Sequence, residues 1–304
     1  MARDEVASLR YLQWDDTFNN VKPYTLYMDV PQGFPPQNYK VDWENPETIH
    51  DVRGQEHEYS LDDNGFAYYK HHFELDGHDR ETLERDYLPQ VEAFLMKTVP
   101  NATEVKIYTW RLRSSDSVIR NKLPGGVINL SDPSHHLAPA TAVHVDQSVG
   151  GAINRVYNHM GDRAETLLRS RVQLIKSEQF PKRRSEGILT DVDSVWRPVR
   201  FPIEDYPLAV ADGSTVNPDD LVAADYVRTT YQGENLLPLY NKNCRWHYLS
   251  DQTPDDILLF KSYDSREQSK AKCCPHVSFR PTQVPDMPKP RESIEVKAIV
   301  FSSE

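Results

Sequence analysis

Hydrophobic residues follow a helical period in one stretch of the first hundred residues. Between Glu81 and Val99 the apolar side chains fall three to five positions apart, which predicts an amphipathic helix. Pro89 within it predicts a kink or a later start. Residues 1–80 carry scattered aromatic residues and prolines without a sustained period. We interpret 1–80 as an extended arm with short strands that wraps a core formed by later residues.

Alternating apolar and polar residues predict a strand at Glu104–Arg113, with Val105, Ile107 and Thr109 on one face. Gly150–Ser170 again has a helical pattern. Further short strands, separated by turns, are predicted at Ala142–Asp146, Val172–Ile175, Val195–Val199, Pro207–Asp212, Arg245–Leu249, Ile257–Tyr263, His276–Phe279 and Glu292–Phe301. Many short strands joined by long loops indicate a barrel or a sandwich.

The chain shows no internal repeat and no shift in composition that would mark a second domain. Its 304 residues can share one core, because single cores grow to roughly 250 to 300 residues before chains divide. We therefore predict a single domain over 1–304 with its core at 104–301. The polar segment 176–194 is predicted to be an inserted loop, either a lid over a cleft or a surface excursion.

The charge balance excludes one class of function. The chain has 46 acidic against 35 basic residues, a net charge of -11, so it offers no overall positive field for a nucleic acid. The basic triplet Lys182–Arg184 is interpreted as a solvated loop. No apolar run approaches the roughly 18 to 20 residues that span a bilayer, and the charged start does not have the basic-then-apolar pattern expected of a signal peptide. We expect a cytoplasmic protein with no membrane partner, and a homodimer is one possible assembly.

The segment Val143–Asp146 carries the sharpest local signal for chemistry. Side chains at i and i+2 of a strand point to one face, so His144 and Asp146 would emerge together, about 6 to 7 Å apart at the backbone. Two ligands of one metal could stand there, although a hydrogen-bonded histidine and aspartate pair explains the same pattern. The similar His72-Phe73-Glu74 lies before the strand-rich region and has no evident third partner.

Three residues near the C-terminus strengthen the metal interpretation. His276 can supply the second nitrogen of a facial triad of two histidines and one carboxylate, a set typical of non-haem Fe(II) oxygenases. Arg291 and Ser293, again at i and i+2, can together hold a carboxylate through the guanidinium fork and a hydroxyl. The ordered set is more specific than any of its parts.

The ordered set resembles that of the Fe(II)- and 2-oxoglutarate-dependent oxygenases, and other segments resemble their fungal AsaB/CmcJ-type hydroxylase/desaturase family. The matching segments are Trp196–Pro198, Asp205–Ala209 with Asp212, Trp246–Tyr248 with Gln252, Lys261–Ser265, and Pro275–His276 through Arg291–Val296. The resemblance implies a mainly β (α+β) fold, a double-stranded β-helix (jelly-roll, cupin-like) barrel with flanking helices. One departure is the segment 176–194, which interrupts a strand that is continuous in relatives.

The resemblance also implies a function. His144, Asp146 and His276 would bind Fe(II), while Arg291 and Ser293 would hold the cosubstrate 2-oxoglutarate. With O₂, the enzyme would oxidise a C–H bond of a small secondary metabolite by hydroxylation, desaturation or ring formation, releasing succinate and CO₂. Candidate substrate residues are Arg111, Arg197, Ile299 and Phe301.

Several alternatives remain open. The same triad could serve an Fe(II) oxidase or isomerase that does not use 2-oxoglutarate, or the barrel could be an inactive cupin-like binding protein. Arg197 could instead hold the strand of Trp196. Glu295 and Lys297 share the strand parity of Arg291, which requires a bulge or an open, wet end of the cleft.

Overall fold

The computed structural model describes residues 3–120, 132–169, 189–229 and 231–303. Its strands are Glu5–Ala7 (β1), Arg10–Leu12 (β2), Tyr24–Tyr27 (β3), Val41–Trp43 (β4), Glu47–Asp51 (β5), Phe66–Lys70 (β6), Ala102–Ser114 (β7), Leu189–Pro198 (β8), Leu208–Ala211 (β9), Leu221–Arg228 (β10), Tyr231–Pro238 (β11), Trp246–Tyr248 (β12), Asp256–Asp264 (β13), His276–Ser278 (β14) and Glu292–Ser302 (β15). Its helices are Leu61–Asn64 (α1), Arg80–Thr82 (α2), Leu88–Thr98 (α3), Ser117–Arg120 (α4), Val149–Met160 (α5) and Ala164–Arg169 (α6).

Two five-stranded sheets face each other. The major sheet has the order β6-β13-β8-β15-β7 and is antiparallel throughout, and the minor sheet has the order β1-β5-β12-β9-β14. A third sheet, β11-β10-β3, lies beside them. Residues 144 and 145 join β14 to β11 through isolated bridges to His276 and Leu236, so the minor sheet curls onward into the third. This architecture confirms the mainly β jelly-roll with flanking helices.

Each major strand divides its side chains between two cores, as the two-residue period requires. The inner face, which looks toward the minor sheet, carries Phe66, Trp196 and Phe260 against Leu208 and Val210. On the outer face, Val195, Leu259, Ile294, Val296 and Val300 pack against α3 through Val91, Phe94 and Leu95. The inner face is therefore apolar where β6, β13 and β8 contribute these side chains.

The predicted helix at Glu81–Val99 is confirmed, because α2, a π-helical turn Leu83–Tyr87 and α3 run on from one another. Pro89 lies in the first turn of α3, where its missing N–H is tolerated. The N–H of Leu88 bonds to the carbonyl of Leu83, five residues back. The π-helical turn therefore ends two residues before Pro89.

One strand parity was predicted wrongly. β7 pairs Thr109 with Lys297 but Ile107 with Ala298, so Tyr108 is an extra residue in a β-bulge. Val105 and Trp110 consequently share the outer core, although the predicted alternation placed them on opposite faces. After the bulge, Thr109, Arg111 and Arg113 lie along a cavity on the inner side.

Most of the other strand predictions are confirmed, and two need correction, at residues 189–194 and at Ala142–Asp146. β8 begins at Leu189, so residues 189–194 of the predicted loop 176–194 are strand, and the rest of that loop lies outside the described residues. Val172–Ile175 and the basic triplet also lie outside them. Ala142–Asp146 forms only isolated bridges, and Gly150–Ser170 divides into α5 and α6 at Gly161.

The segment 1–80 contributes more than a wrapping arm. β1 and β5 form one edge of the minor sheet, and β6 forms one edge of the major sheet by pairing with β13. The hairpin of β10 and β11 was not predicted. Within the described ranges, no helix has the length and apolar character needed to cross a membrane.

Candidate metal centre and cavity

His144 and His276 stand directly opposite each other on neighbouring segments. Their backbones exchange two hydrogen bonds, from His144 N to His276 O at 3.2 Å and from His276 N to His144 O at 2.9 Å. The imidazole centroids are 4.3 Å apart. Asp146 follows two residues after His144, and one ligand atom from each of the three residues lies within 4.8 Å of the others. Segments 130 residues apart in the chain thus meet at one point.

Both imidazoles are oriented by backbone carbonyls. His144 Nδ1 lies 2.9 Å from Ala142 O, and His276 Nδ1 lies 3.1 Å from Cys274 O. Because carbonyl oxygen only accepts, each Nδ1 carries the proton and each Nε2 keeps its lone pair. These Nε2 atoms lie 3.8 and 3.6 Å from the carboxylate oxygens of Asp146. Burial lowers the pKa of His144 to about 4 and also lowers that of His276, so both are neutral at pH 7.

The carboxylate of Asp146 completes a donor set that fits a divalent metal. Its Oδ2 is buried and has no hydrogen-bond partner among the residues that the structure describes. Burial raises the pKa of Asp146, but the charge of Lys297 opposes this effect and the pKa ends well below its usual range. Two imidazole nitrogens with free lone pairs and one ionised carboxylate oxygen thus converge on one point. This set of ligand atoms is that of the facial triad.

Lys297 enters this centre from β15. Its Nζ lies 2.5 Å from Asp146 Oδ1 and 3.8 Å from Glu295 Oε1. The side chain retains 16% of its exposure, which places it at the cavity wall. The parity of Glu295 and Lys297 predicted a bulge or an open cleft end; both residues line the cavity, and the pairing of β15 with β7 shifts register between Lys297 and Ala298.

Arg291 is a buried cation beside the triad. It is 2% exposed, and its Nη1 donates to Tyr206 O at 2.6 Å and to Ser278 Oγ at 2.7 Å, while its Nε donates to Ser293 Oγ at 3.2 Å. Its guanidinium carbon lies 5.3 Å from the centroid of Trp196. Burial, with the nearby charge of Arg113, lowers its pKa to about 9.

The distance from Arg291 to the triad follows from strand geometry. His276 and Ser278 are two residues apart on β14, so their side chains share a face about 6 to 7 Å apart. Ser278 Oγ touches the guanidinium directly. Within the described ranges, Arg291 forms no ion pair with a carboxylate; its contacts are hydroxyl and carbonyl oxygens.

A cavity of about 280 Å³ opens beside Asp146. β7 and β15 form one wall, and the hairpin β10–β11 with α5 forms the other. The lining side chains are Tyr108, Thr109, Trp110, Arg111, Arg113, Leu137, Asp146, Gln147, Arg155, Tyr226, Arg228, Tyr231, Asn235, Glu295 and Lys297. Gly233 allows the ring of Tyr226 to lie across the sheet, because a Cβ there would be 2.2 Å from the ring.

Of the four candidate substrate residues, one lines the cavity and three lie elsewhere. Arg111 lines the cavity. Arg197 points to the outer face, where it donates to Tyr87 Oη at 3.1 Å and to Pro254 O at 3.0 Å. Ile299 and Phe301 are completely buried beneath α5 and α6. The structure thus does not bring Arg197, Ile299 or Phe301 to the cavity, because a neighbouring helix covers each of them.

The competing motif His72-Phe73-Glu74 forms no comparable site. His72 is exposed and lies 2.8 Å from Asp255 through Nδ1, while its Nε2 is 3.9 Å from Glu74. Sequence reasoning missed the contribution of Tyr226, Arg228 and Tyr231 to the cavity. The sequence did offer one signal for this wall of the cavity. Tyr226 and Arg228 stand at i and i+2 of β10, so their side chains face the same side of the strand.

Comparison with known proteins agrees with this geometry. Residues 9–177 and 182–301 match a family described as "Oxidoreductase/YMDC permease-like domain". The chain is 30% identical over 274 residues to the hydroxylase/desaturase CTB9 of Cercospora beticola, covering 83% of this chain and 75% of that protein. It is 29% identical over 263 residues to the Fe(II)/2-oxoglutarate-dependent dioxygenase nvfI of Aspergillus novofumigatus (strain IBT 16806), covering 83% and 82%.

A solved structure extends the likeness to the whole fold. A variant of the iron and alpha-ketoglutarate-dependent endoperoxidase NvfI superposes with a TM-score of 0.78 at 25% identity, covering 100% of both chains. The segments that carry the two histidines and Asp146 lie within the matched ranges of the family. Sequence and architecture therefore point to the same group of enzymes.

Proposed function

Because the chain belongs to the hydroxylase/desaturase family of Fe(II)- and 2-oxoglutarate-dependent oxygenases, we propose that it oxidises a C–H bond of a small secondary metabolite. The reaction would be a hydroxylation, a desaturation or an oxidative ring formation. When bound, Fe(II) with 2-oxoglutarate and O₂ supplies the oxidising power for this step and leaves succinate and CO₂.

The proposed metal ligands are His144 Nε2, His276 Nε2 and one carboxylate oxygen of Asp146. The carbonyls of Ala142 and Cys274 hold the imidazoles in the tautomer that a metal needs, and rotation of either ring would break a hydrogen bond. Phe260, whose ring centroid lies 4.5 Å from that of His276, keeps water from that side of the ligand.

The proposed anchor for 2-oxoglutarate is Arg291 with Ser293. One observation carries this assignment: a guanidinium that is 2% exposed lies about one strand repeat from the triad and forms no direct ion pair with a carboxylate among the described residues, although the charges of Glu295 and Asp205 act on it from farther away. A buried charge without a directly paired counter-ion is costly, and the distal carboxylate of the cosubstrate would supply one. Trp196 covers the guanidinium and excludes water from the ion pair.

The residues that line the cavity are the ones proposed to hold the substrate. The cavity beside Asp146 places a bound molecule next to the metal position, with Lys297 and Glu295 on one wall and Tyr226 and Tyr231 on the other. Which hydrogen reacts then depends on orientation in this cavity. The same proposal includes one oxygenase domain over 1–304 acting in the cytoplasm.

The proposal is tested by aerobic incubation of the purified protein with Fe(II) and 2-oxoglutarate, with succinate measured by chromatography. We expect wild type to form succinate above the metal-free background and His144→Ala to form none. Asp86→Ala, at an exposed helix position, is the matched control and should behave as wild type. Oxidation of a metabolite without any succinate would favour the oxidase alternative, and failure to retain Fe(II) would favour the binding-protein alternative.

A further inference from the structure

The charge of the cavity is opposite to that of the whole protein. The chain carries a net charge of -11, but the described residues of the cavity lining include five cations, Arg111, Arg113, Arg155, Arg228 and Lys297. Two of these described lining residues, Asp146 and Glu295, are acidic. A metal ion at Asp146 would add further positive charge. The field inside the cavity therefore favours an anion.

The two acidic side chains are already engaged. Asp146 and Glu295 both contact Lys297, and Glu295 lies 4.0 Å from Arg113. Arg155 does not use them: its guanidinium lies over the rings of Tyr108 and Tyr231 and donates to Tyr226 Oη at 2.9 Å. Among the described lining residues, the cations therefore outnumber the acidic groups.

Three arginines converge from different strands. Arg111 and Arg113 are two residues apart on β7, so they share the inner side, and Arg228 ends β10 on the facing wall. Burial together with the charges of Arg228 and Arg113 lowers the pKa of Arg111 to about 10. Arg111 also donates to Asp132 O at 2.5 Å, which fixes its side chain. Like charges held together in a half-buried place are stabilised by an anionic ligand.

We propose that the substrate carries a carboxylate, which Arg111, Arg113 and Arg228 bind. Each guanidinium can donate two parallel hydrogen bonds to the two oxygens of a carboxylate. Three guanidinium groups therefore fix the position of the carboxylate more closely than a lysine ammonium, which acts as a point charge, would do. The inference rests on the function proposed above and names the substrate class. A volume of about 280 Å³, near the lower end of small-molecule pockets, limits the substrate to a small acid.

The cosubstrate is assigned to a different cation. Arg291 is enclosed between Trp196, Ser278 and Ser293 and does not line this cavity. On β15, Arg291 precedes Glu295, whereas Arg111 pairs with Glu295 across from β7. Arg113 pairs with Ser293 and therefore lies between the two proposed anion sites.

The test uses the anaerobic holoenzyme with Fe(II), with 1-naphthoate and its neutral analogue 1-naphthamide as probes. Visible absorption of the metal chelate reports 2-oxoglutarate binding, and calorimetry in its presence reports the probes. We expect 1-naphthoate to bind at least tenfold more tightly than 1-naphthamide. Arg228→Gln should remove this preference and leave 2-oxoglutarate affinity within about twofold of wild type. Arg85→Gln, an exposed arginine on the helix, controls for the loss of charge.

Equal binding of the two probes, or no binding of either, would overturn the inference. Weaker 2-oxoglutarate binding in Arg228→Gln with unchanged 1-naphthoate binding would also overturn it, because the cluster would then serve the cosubstrate. Arg111→Gln repeats the test if Arg228→Gln does not fold. Absence of the chelate band in wild type would contradict the proposed function instead, so the two failures are distinguishable.

Discussion

Lys297 Nζ lies 2.5 Å from the carboxylate of Asp146, at the point where the proposed metal would bind. The ammonium and a divalent ion would share one carboxylate, and each would weaken the other by repulsion. We therefore expect Lys297, which lines the cavity, to lower the affinity of the centre for the metal.

Replacing Lys297 by methionine should tighten Fe(II) binding. The variant removes a competing charge but keeps the aliphatic stem, and we expect an affinity about tenfold higher, equivalent to about 1.4 kcal/mol. Anaerobic titration with Fe(II) measures it. Lys297→Arg keeps the charge and should remain near wild type. Weaker binding in the methionine variant would mean that the ammonium supports the ligand geometry.

Replacing Arg291 by glutamine should weaken 2-oxoglutarate binding by about 100-fold or more, because truncating one member of a buried charge pair costs about 2 to 5 kcal/mol. Fe(II) affinity should not change, since the triad is untouched. Titration of the chelate absorption measures both. Arg291→Lys keeps the charge but loses the fork and should fall between glutamine and wild type. Unchanged 2-oxoglutarate affinity in folded Arg291→Gln would contradict the assignment.

Replacing Arg197 by leucine should reduce stability without affecting the site. The guanidinium satisfies Tyr87 Oη and Pro254 O on the outer face, and its loss should cost about 1 to 3 kcal/mol of the unfolding free energy. Urea denaturation followed by fluorescence measures that cost. Affinity for 2-oxoglutarate should match that of wild type, and a large decrease would show that Arg197 reaches the cosubstrate.

Glu47 should make stability depend on pH. Burial raises the pKa of its carboxyl group to about 7 from an ordinary value near 4.5, although the hydroxyl of Tyr11, which donates to it at 2.6 Å, acts in the opposite direction. The folded state then holds the proton more tightly, so the stabilising contribution is present below about pH 4.5 and is lost as pH rises through about 7. Denaturation midpoints at pH 5 and pH 8 should differ more for wild type than for Glu47→Gln, and equal differences would exclude this role.

The sequence predicted the centre better than the cavity. His144, Asp146 and His276 are recognisable because their order along the chain reflects strands that must adjoin, although 130 positions separate Asp146 from His276. The bulge at Tyr108 leaves no mark on the alternating pattern, since one inserted residue only exchanges the faces beyond it. Ile299 and Phe301 do share the inner parity, but α5 and α6 cover them, and only tertiary packing decides that.

The hairpin of β10 and β11 shows a second reason for the difference. Its strands are only half-buried, and polar residues such as Asp225 and Glu234 occupy the face opposite the cavity, so no strong apolar alternation identifies it. Lys22 pairs with both of those carboxylates from residues far earlier in the chain. Such long-range ion pairs are not visible in a local pattern.

The central claim is that the triad binds Fe(II) and that 2-oxoglutarate then chelates this metal. Anaerobic absorption spectroscopy tests the claim most directly. Addition of Fe(II) and then 2-oxoglutarate to the wild-type protein should produce the metal-to-ligand charge-transfer band, saturating at one equivalent of metal. The same additions to His144→Ala should give no band. A wild type without the band, or a His144→Ala variant that keeps it, would contradict the account.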